Sequence, residues 1–340
     1  MSERFVSLHS LLTGTEIPTL RDGVPSFLSV PVARSRKDLE GADAVIIGVP
    51  YDRPATAGRP AGQWSGYREA PVNVRKGSLR YRGYVPEHDL EVFDHLTVVD
   101  YGDAEIVDDD LPRSIENVAR KVQDAVEAGA RPITLGGFSP CASYACVKGL
   151  AAATRGRVGV VSLDAHGDCL DVEPGRGRDP SSATWERRMW DHFPNVDPTH
   201  HVEIGMRGPR NVREMVETYR KKGAHWYPAA RLREMGVDAI CREALPHAFQ
   251  GTERTWLHLD MDVLDIGAVP DWGDEPLGLS VWEIVKIVHE SGKAGLDALS
   301  FLYVAPRSDA ISAVVSYIVV YYLAGLVLGG KVTSRPRAGA

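Results

Sequence analysis

Short apolar runs alternate with longer amphipathic segments along most of the chain. The apolar runs predict strands at residues 44–49, 96–99, 131–135, 158–163, 201–204, 255–259 and 298–304. Between them, helical periodicity predicts helices that include residues 114–128, 211–222 and 281–291. The last of these opens with Ser280 and Glu283 at the spacing of a capping box. This β-α-β alternation predicts an α/β fold with a mainly parallel sheet that is covered by helices on both faces.

Composition narrows the class of protein. The chain has 340 residues, is 44% hydrophobic and carries a formal net charge of -7. We expect a single domain over residues 1–340, with about the first 30 residues as an arm and about the last 8 frayed. The acidic balance argues against a nucleic-acid partner or an anionic membrane and favours a small-molecule substrate.

One segment, residues 311–329, is long and apolar enough to span a bilayer. It also contains serines and tyrosines and lies where an α/β domain places a last buried helix, which is the interpretation we favour. The four cysteines show no CxxC spacing, and the first residues lack the pattern of a secretory signal. We therefore expect free thiols and a cytoplasmic protein.

Two acidic segments follow predicted strands. Asp164, His166 and Asp168 follow the run at residues 158–163. Asp260 and Asp262 follow the run at residues 255–259. Residues two apart point to the same face of an extended chain, and parallel strands gather ligands at their carboxyl ends. The pattern predicts a metal site. Mn(II) is the preferred ion because carboxylates outnumber the nitrogen donor, and Zn(II), Ni(II) and Fe(II) are the alternatives. The other interpretation is a set of solvated acids that cap helices.

These segments resemble the motifs of the ureohydrolase family, the arginases and agmatinases. Residues 164–168 (DAHGD) are similar to its DAHxD motif, and residues 259–265 (LDMDVLD) to its SxDxDxxDP motif, with Ile266 in place of the proline. Residues 48–52 (GVPYD), 99–103 (VDYGD) and 204–208 (IGMRG) are similar to agmatinase landmarks. The resemblance implies a three-layer α/β/α fold, a binuclear manganese site and a trimeric or hexameric homo-oligomer.

The resemblance also implies roles for single residues. The inner metal site would comprise Asp164, His166, Asp260 and Asp262, and all four are present. The outer site would use Asp168 together with the bridging Asp164 and Asp260. Its histidine, in the family motif GGDHS, is replaced by Ser139 in the sequence GGFSP. A neutral hydroxyl is a poor substitute for imidazole, so we expect a weakened outer site.

Two further departures concern the substrate. The family carboxylate that holds the guanidinium falls on Tyr303, and the histidine of the agmatinase SHGT segment falls on Ser182. We predict substrate contacts from Tyr303, Ser182 and Ser139, and catalytic roles for Asp164 as a ligand and Tyr303 as a hydrogen-bond donor. The histone deacetylases offer an analogy, because their similar fold uses one zinc and a tyrosine. The acids Asp271, Asp274 and Glu275 are alternative charge partners, unless they form a solvated loop.

Three functions are consistent with these residues. The first is a divergent hydrolase that cleaves a linear C–N bond of an amidine, guanidine or amide by metal-bound hydroxide. The second is an orthodox guanidino hydrolase that releases urea. The third is a catalytically silent relative that binds a ligand or stabilises an oligomer.

Several other side chains leave open interpretations. The tryptophans in predicted loops either line a pocket or pack beneath the loops; they are Trp64, Trp185, Trp190 and Trp272. Cys141 either approaches the altered outer site or is an inert core thiol. His258 either shares the face of Asp260 or lies buried beneath the helices. His201, at the start of a predicted strand, is assigned a structural role.

Overall fold

The computed structural model describes residues 5–52, 66–268, 275–304 and 309–332. Within these residues, one parallel sheet has the strand order β4-β1-β5-β10-β9-β6-β7-β8, and β2 and β3 pair in a separate antiparallel ribbon. The strands are β1 (Ala44–Gly48), β2 (Tyr84–Val85), β3 (Leu90–Glu91), β4 (Val98–Asp103), β5 (Arg131–Leu135), β6 (Val158–Leu163), β7 (His201–Ile204), β8 (His225–Tyr227), β9 (Arg254–Asp260) and β10 (Ala298–Leu302).

Helices connect the strands and cover both faces of the sheet. They are α1 (Leu8–Thr13), α2 (Ala70–Ser78), α3 (Leu111–Glu127), α4 (Tyr144–Ala152), α5 (Trp185–His192), α6 (Arg213–Lys222), α7 (Ala229–Met235), α8 (Val237–Phe249), α9 (Val281–Ala294) and α10 (Asp309–Leu328). The predicted α/β fold, three-layered with a mainly parallel sheet, is therefore confirmed.

The alternation of side chains along each strand builds a separate core on each face. In β6, Val158 and Val160 pack into the core beneath α3, α4 and α5, whereas Val161 and Leu163 pack into the core beneath α8, α9 and α10. Because both faces are buried, each strand is a nearly continuous apolar run. This is why hydrophobic patterning locates the strands so well.

Every predicted strand is present, and the capping box at Ser280 and Glu283 begins α9 as expected. The three-residue edge strand β8 was not predicted, because its sequence (HWY) is too short to show a period. β4 runs to Asp103, further than the apolar pattern indicated. The polar end of β4 stays in the sheet because Arg75 pairs with Asp100 and Asp103.

The long apolar segment forms the core helix α10. Its most hydrophobic window has a mean hydropathy of 2.2, enough to cross a membrane by length and composition, yet 67% of it is buried inside the protein. Close packing on α9 is visible at Gly325, where a Cβ atom would lie 2.4 Å from the carbonyl oxygen of His289. The hydroxyl of Tyr322 donates to the carbonyl of Leu296 at 2.8 Å. These contacts support the buried interpretation.

The first described residues pack against the domain. Phe27 is fully buried, and its backbone N–H donates to Asp100 at 3.0 Å. The backbone N–H of Leu8 donates to the carbonyl of Leu79 at 2.9 Å. The expected fraying of the last 8 or so residues concerns positions that lie outside the described residues.

Candidate metal centre

The candidate site lies at the carboxyl ends of adjacent strands in the middle of the sheet. β5, β10, β9 and β6 are consecutive neighbours, so the segments that follow them meet at one edge. Asp260 ends β9, and Asp164 directly follows β6. The strand ends therefore bring both acidic segments together, although nearly one hundred residues separate them in sequence.

The core of the site is a cluster of Asp164, His166 and Asp262. One donor atom from each residue lies within 4.8 Å of the others. His166 Nδ1 is 3.0 Å from Asp262 Oδ2 and 3.6 Å from Asp164 Oδ1. Donors bound at about 2.0–2.2 Å to one first-row cation are separated by roughly 3–4 Å, so this spacing suits a common ion.

The surroundings of these donors also fit a cation. All three side chains are buried, and Asp164 Oδ2 makes no hydrogen bond among the described residues. Burial, reinforced by the charges of Asp262 and Asp260, raises the pKa of Asp164 well above its usual value. Burial alone would lower the pKa of His166, but the charge of Asp262 outweighs it and raises that pKa to about 8. A divalent cation offsets this concentration of buried negative charge.

The backbone holds the ligands in place. Asp164 Oδ1 accepts a hydrogen bond from the backbone N–H of His166 at 2.7 Å, and Asp260 Oδ1 accepts one from Asp262 at 3.0 Å. Asp262 Oδ1 accepts from the backbone N–H of Ala165 at 3.2 Å, which joins the two acidic segments directly. One oxygen of each carboxylate is thus oriented by the loop that carries it.

Asp168 lies at the edge of the site beside α5. Its Oδ2 accepts a hydrogen bond from the indole N–H of Trp185 at 2.9 Å. Burial raises the pKa of Asp168 to about 7, against the opposing charge of His166. The loop-pocket interpretation of the tryptophans is wrong for Trp185, which is fully buried in α5, and for Trp190 in the same helix. Trp64 and Trp272 lie outside the described residues.

Ser139 lies in the segment that follows β5, and one strand, β10, separates β5 from β9 in the sheet. Gly136 and Gly137 let this loop pass closely: a Cβ atom on Gly136 would lie 1.6 Å from the carbonyl oxygen of Phe301. Ser139 is fully buried, and its hydroxyl shares a hydrogen bond with Ser143 at 2.6 Å. Its predicted contact with substrate stays a prediction. The structure shows a hydroxyl already paired with another hydroxyl.

Aromatic rings lie beside the position of the missing histidine ligand and at the position of the missing carboxylate. Tyr303 stacks on Tyr67 with ring centroids 5.3 Å apart, and Phe138 lies 5.1 Å from Tyr67 and 5.9 Å from Tyr303. The backbone of Tyr303 adopts a left-handed conformation (φ 58°), held by its N–H donating to Gly137 at 3.0 Å. A bulky side chain in this conformation is uncommon and marks a position fixed by its surroundings.

Glu275 approaches the metal cluster from a distant loop. The residue is buried, and its Oε1 lies 3.5 Å from His166 Nε2 and 3.3 Å from Arg210 Nη1. The solvated-loop interpretation is therefore wrong for Glu275. Its two companions in that hypothesis, Asp271 and Asp274, lie outside the described residues.

The sequence landmarks include side chains whose role was not predicted. Arg207, within IGMRG, donates from Nη2 to the backbone carbonyls of Asp262 at 2.8 Å and Glu275 at 3.0 Å. Asn211 binds the other acidic segment, donating to the carbonyl of Ala165 at 2.9 Å. Neither residue is itself a ligand in the cluster. Both bind loop backbone, a role that shows no periodic pattern in sequence.

His258 and Cys141 are both core residues. His258 is fully buried against Trp185, with ring centroids 4.7 Å apart, so it lies beneath the helices. Cys141 is also fully buried, and burial raises the pKa of its thiol well above the usual value, as expected of an inert core thiol. Ser182 is half-buried in the loop before α5. Its predicted contact with substrate stays a prediction.

Known proteins are similar to this chain in sequence and in fold. The model of the arginase family matches residues 42–325. Mitochondrial agmatinase of Gallus gallus is 29% identical over 288 residues, which cover 84% of this chain and 80% of the relative. Formimidoylglutamase of Halobacterium salinarum is 30% identical over 254 residues, covering 74% of this chain and 76% of the relative.

Solved structures agree on the fold. Proclavaminate amidino hydrolase from Streptomyces clavuligerus has a TM-score of 0.77 at 24% identity, with 89% of this chain and 96% of that chain covered. Formiminoglutamase from Trypanosoma cruzi, solved with Mn2+, has a TM-score of 0.73 at 24% identity, with 89% and 98% covered. The chain therefore belongs to the arginase family, whose members are hydrolases of amidino C–N bonds.

Proposed function

We propose that this protein is a divergent metal-dependent hydrolase of a linear C–N bond, and that its substrate is an amidine or an amide rather than a guanidine. The proposal rests on two features found together: a cluster of side chains that could bind a metal, and the packed aromatic rings of Tyr303, Tyr67 and Phe138. Asp164, His166 and Asp262 have the spacing of ligands to one ion. Tyr303 stands at the position where the family resemblance places the carboxylate that holds a guanidinium.

The ligand cluster is the part of the proposal that supports catalysis. Asp164, His166, Asp260 and Asp262 would hold the cation, for which we propose Mn(II). A bound divalent cation would polarise the scissile group and lower the pKa of a bound water well below its value in bulk solvent. The chain supplies the fixed geometry: backbone N–H groups orient Asp164, Asp260 and Asp262, and Arg207 holds the loop that carries Asp262.

We expect one tightly bound ion per chain, because the outer site lacks the histidine of the family motif. Asp168 has one carboxylate oxygen engaged by Trp185. The Ser139 hydroxyl is engaged by Ser143, and a neutral hydroxyl binds a divalent cation weakly. The aromatic ring of Phe138, beside Ser139, offers no donor atom. We therefore propose a functional inner ion and a weak or vacant outer position.

The lack of a carboxylate at Tyr303 favours a substrate other than a free guanidinium. A buried guanidinium needs a carboxylate partner, and losing such a pair costs on the order of 2–5 kcal/mol, or at least a hundredfold in preference. Glu275 is a poor replacement, because Arg210 lies 3.3 Å from the same oxygen that faces His166. Tyr303 offers a hydroxyl instead. That group can donate a hydrogen bond to a neutral substrate or to developing negative charge.

The names of the relatives cover a range of substrates. They include agmatinase, guanidinobutyrase and formimidoylglutamase, so guanidines and a formimidoyl group are both represented. A family of this breadth is consistent with a shared metal site and a variable substrate pocket. We place the present chain nearer the formimidoyl type of substrate, because that group carries no second terminal nitrogen to pair with a carboxylate.

The test is a turnover assay on the full chain loaded with Mn2+, with release of urea, of ammonia, and of the free amine with formamide or another amide measured separately. Substrates comprise N-formimidoyl amino acids, simple amidines, amides, and the guanidines agmatine, arginine and 4-guanidinobutyrate. We expect release of the free amine or of ammonia from at least one amidine or amide, with the matching amide or acid as the second product, and negligible urea from the guanidines. Asp262→Asn should lower the best activity by about a thousandfold or more, whereas Asp109→Asn, a matched control at an exposed position away from the cluster, should retain it.

Two outcomes contradict the proposal. Efficient urea release from a guanidine identifies an orthodox guanidino hydrolase and requires another charge partner. An absence of all C–N hydrolysis by protein that binds Mn2+ favours the alternative function, a catalytically silent member that binds a ligand or stabilises an oligomer.

We also propose a cytoplasmic homo-oligomer, trimeric or hexameric. The four cysteines are free and buried, which is compatible with a reducing compartment. Sedimentation velocity of the full chain tests the assembly. A monomer at micromolar concentration would contradict it.

A further inference from the structure

A second group of buried metal-binding side chains lies beneath the candidate metal centre. His201 and Glu203 are two residues apart on β7 and therefore point to the same face of the sheet. Glu186 reaches them from α5, which covers that face. Donor atoms of these three residues lie within 4.8 Å of one another.

The distances match the coordination of one small cation. His201 Nε2 lies 3.6 Å from Glu186 Oε1 and 4.0 Å from Glu203 Oε2. Around a tetrahedral ion with bonds of about 2.0–2.1 Å, ligand atoms are roughly 3.3 Å apart. The two His201 separations would have to contract by about 0.3 and 0.7 Å to reach that value.

These side chains lack sufficient partners in the described part of the protein. All three are completely buried. Neither ring nitrogen of His201 makes a hydrogen bond there, and neither does Oε1 of Glu186 or of Glu203. The hydroxyl of Tyr219 donates to Oε2 of Glu186 and lies 3.5 Å from Oε2 of Glu203, the oxygen that is 4.0 Å from His201 Nε2. Oε1 of Glu186 and the imidazole of His201 are therefore the facing groups without a hydrogen bond in that part of the protein. Each unsatisfied buried polar group costs about 1–3 kcal/mol, so a cluster of them in one place indicates an absent ligand.

The protonation of the group is compatible with cation binding. Burial lowers the pKa of His201 to about 3, so its imidazole is neutral, the form that binds metals. Burial raises the pKa of Glu186 to about 8 despite the hydrogen bond from Tyr219. Without a cation the glutamates must share protons, and a bound divalent ion would replace them.

We propose that Glu186, His201 and Glu203 form a second, buried site for a first-row divalent cation, with Zn2+ as the best fit. Zn2+ accepts both imidazole nitrogen and carboxylate oxygen as ligands, and a fully enclosed position is typical of structural zinc. The site is separate from the Asp164 cluster and does not depend on the proposed hydrolase activity.

The second site is connected to the metal centre through the start of α5. Trp185, next to Glu186, donates its indole N–H to Asp168 at 2.9 Å. The backbone N–H of Glu186 donates to the carbonyl of Asp168 at 3.1 Å. A cation that fixes Glu186 would therefore also fix the position of Asp168 at the edge of the metal centre.

The experiment measures zinc bound to the full chain by mass spectrometry after chelation and reloading with Zn2+. The Asp164→Asn/Asp262→Asn variant removes the metal centre and isolates the second site. We expect this variant to retain about one Zn2+ per chain, and addition of Glu203→Gln to lower the zinc affinity by about 10–100-fold or more. The matched control adds Glu217→Gln, an exposed glutamate on α6, and should leave zinc binding unchanged.

Zinc retention that is unaffected by Glu203→Gln would overturn the proposal, as would complete loss of zinc in the Asp164→Asn/Asp262→Asn variant with its circular dichroism unchanged. Anomalous scattering at the zinc edge provides a test on unaltered protein. We expect a peak about 2.0–2.1 Å from Glu186 Oε1 and His201 Nε2. A peak confined to the Asp164 cluster refutes the second site, whether or not the protein hydrolyses any C–N bond.

Discussion

A buried ion pair at the end of β4 carries the sharpest stability prediction. Arg75 of α2 donates from Nε and Nη2 to the two oxygens of Asp100 at 2.8 and 3.0 Å, and from Nη1 to Asp103 at 2.6 Å. The side chains of Arg75 and Asp100 are 0% exposed. Asp100 also accepts from the backbone N–H groups of Phe27 and Gly102. The VDYGD landmark is thus a structural junction between α2, β4 and the N-terminal segment.

The expected cost follows from burial. Arg75→Met leaves the Asp100 carboxylate buried without a cation, which costs about 3–5 kcal/mol. With an unfolding entropy of about 2.1 cal/mol/K per residue, a chain of 340 residues loses roughly 4–7 °C in Tm. The exposed pair of Arg68 and Asp108 provides the matched control. Arg68→Met should cost less than about 1 kcal/mol, or about 1.5 °C.

The assay is thermal unfolding of the full chain followed by circular dichroism, at fixed protein and metal concentrations. Asp100→Asn should also destabilise, but the double variant Arg75→Met/Asp100→Asn should lose at least about 2 kcal/mol less than the sum of the single variants. That coupling arises because the second change neutralises the carboxylate left by the first. Equal Tm values for Arg75→Met and Arg68→Met, or additive losses in the double variant, would refute the reasoning.

Three further predictions concern the site and the pH dependence of stability. Ser139→His with Phe138→Asp should raise Mn2+ stoichiometry by about one ion per chain, and unchanged metal content would contradict the account of the outer position. Tyr303→Phe should lower kcat for the best substrate by about a hundredfold with little change in KM, and unaltered turnover would exclude its role as a donor. Burial lowers the pKa of His289, so the unfolded chain binds more protons below about pH 6.5 and stability should fall from pH 7 to pH 5. Urea unfolding across that range should show a smaller slope for His289→Gln, whereas the exposed control His95→Gln should match the unaltered protein.

Hydrophobic patterning predicted the strands because each one is buried on both faces. A run such as residues 158–163 has no polar face to obscure its limits, and β6 begins and ends where the run does. The acidic segments were also visible, because D-x-H and D-x-D place donors on one face wherever a strand ends. The strand order, which brings β6 beside β9, is a long-range property that the alternation alone does not specify.

The parts of the site that the sequence left open or assigned wrongly depend on contacts between segments distant in sequence. Glu275 reaches His166 from a loop more than one hundred residues later, and no local pattern distinguishes it from a solvated acid. Trp185 was assigned to a loop because α5 is short and follows a stretch rich in glycine, proline and arginine. Only its packing shows that it is a hydrogen-bond donor to Asp168.

The surroundings of His201 and Glu203 could not be predicted from their positions in a strand alone. His201 was assigned a structural role because it begins a strand, and Glu203 follows it with the alternation of an ordinary sheet residue. The face they share is covered by α5, so the side chains that would be half-solvated in an open sheet are enclosed with Glu186. Burying two carboxyl groups and an imidazole with so few hydrogen bonds is stable only when protons or a cation balance them. The same balance of charge governs the Asp164 cluster above it, which is why metal content, measured site by site, separates a working metal centre from a group of buried acids that holds only protons.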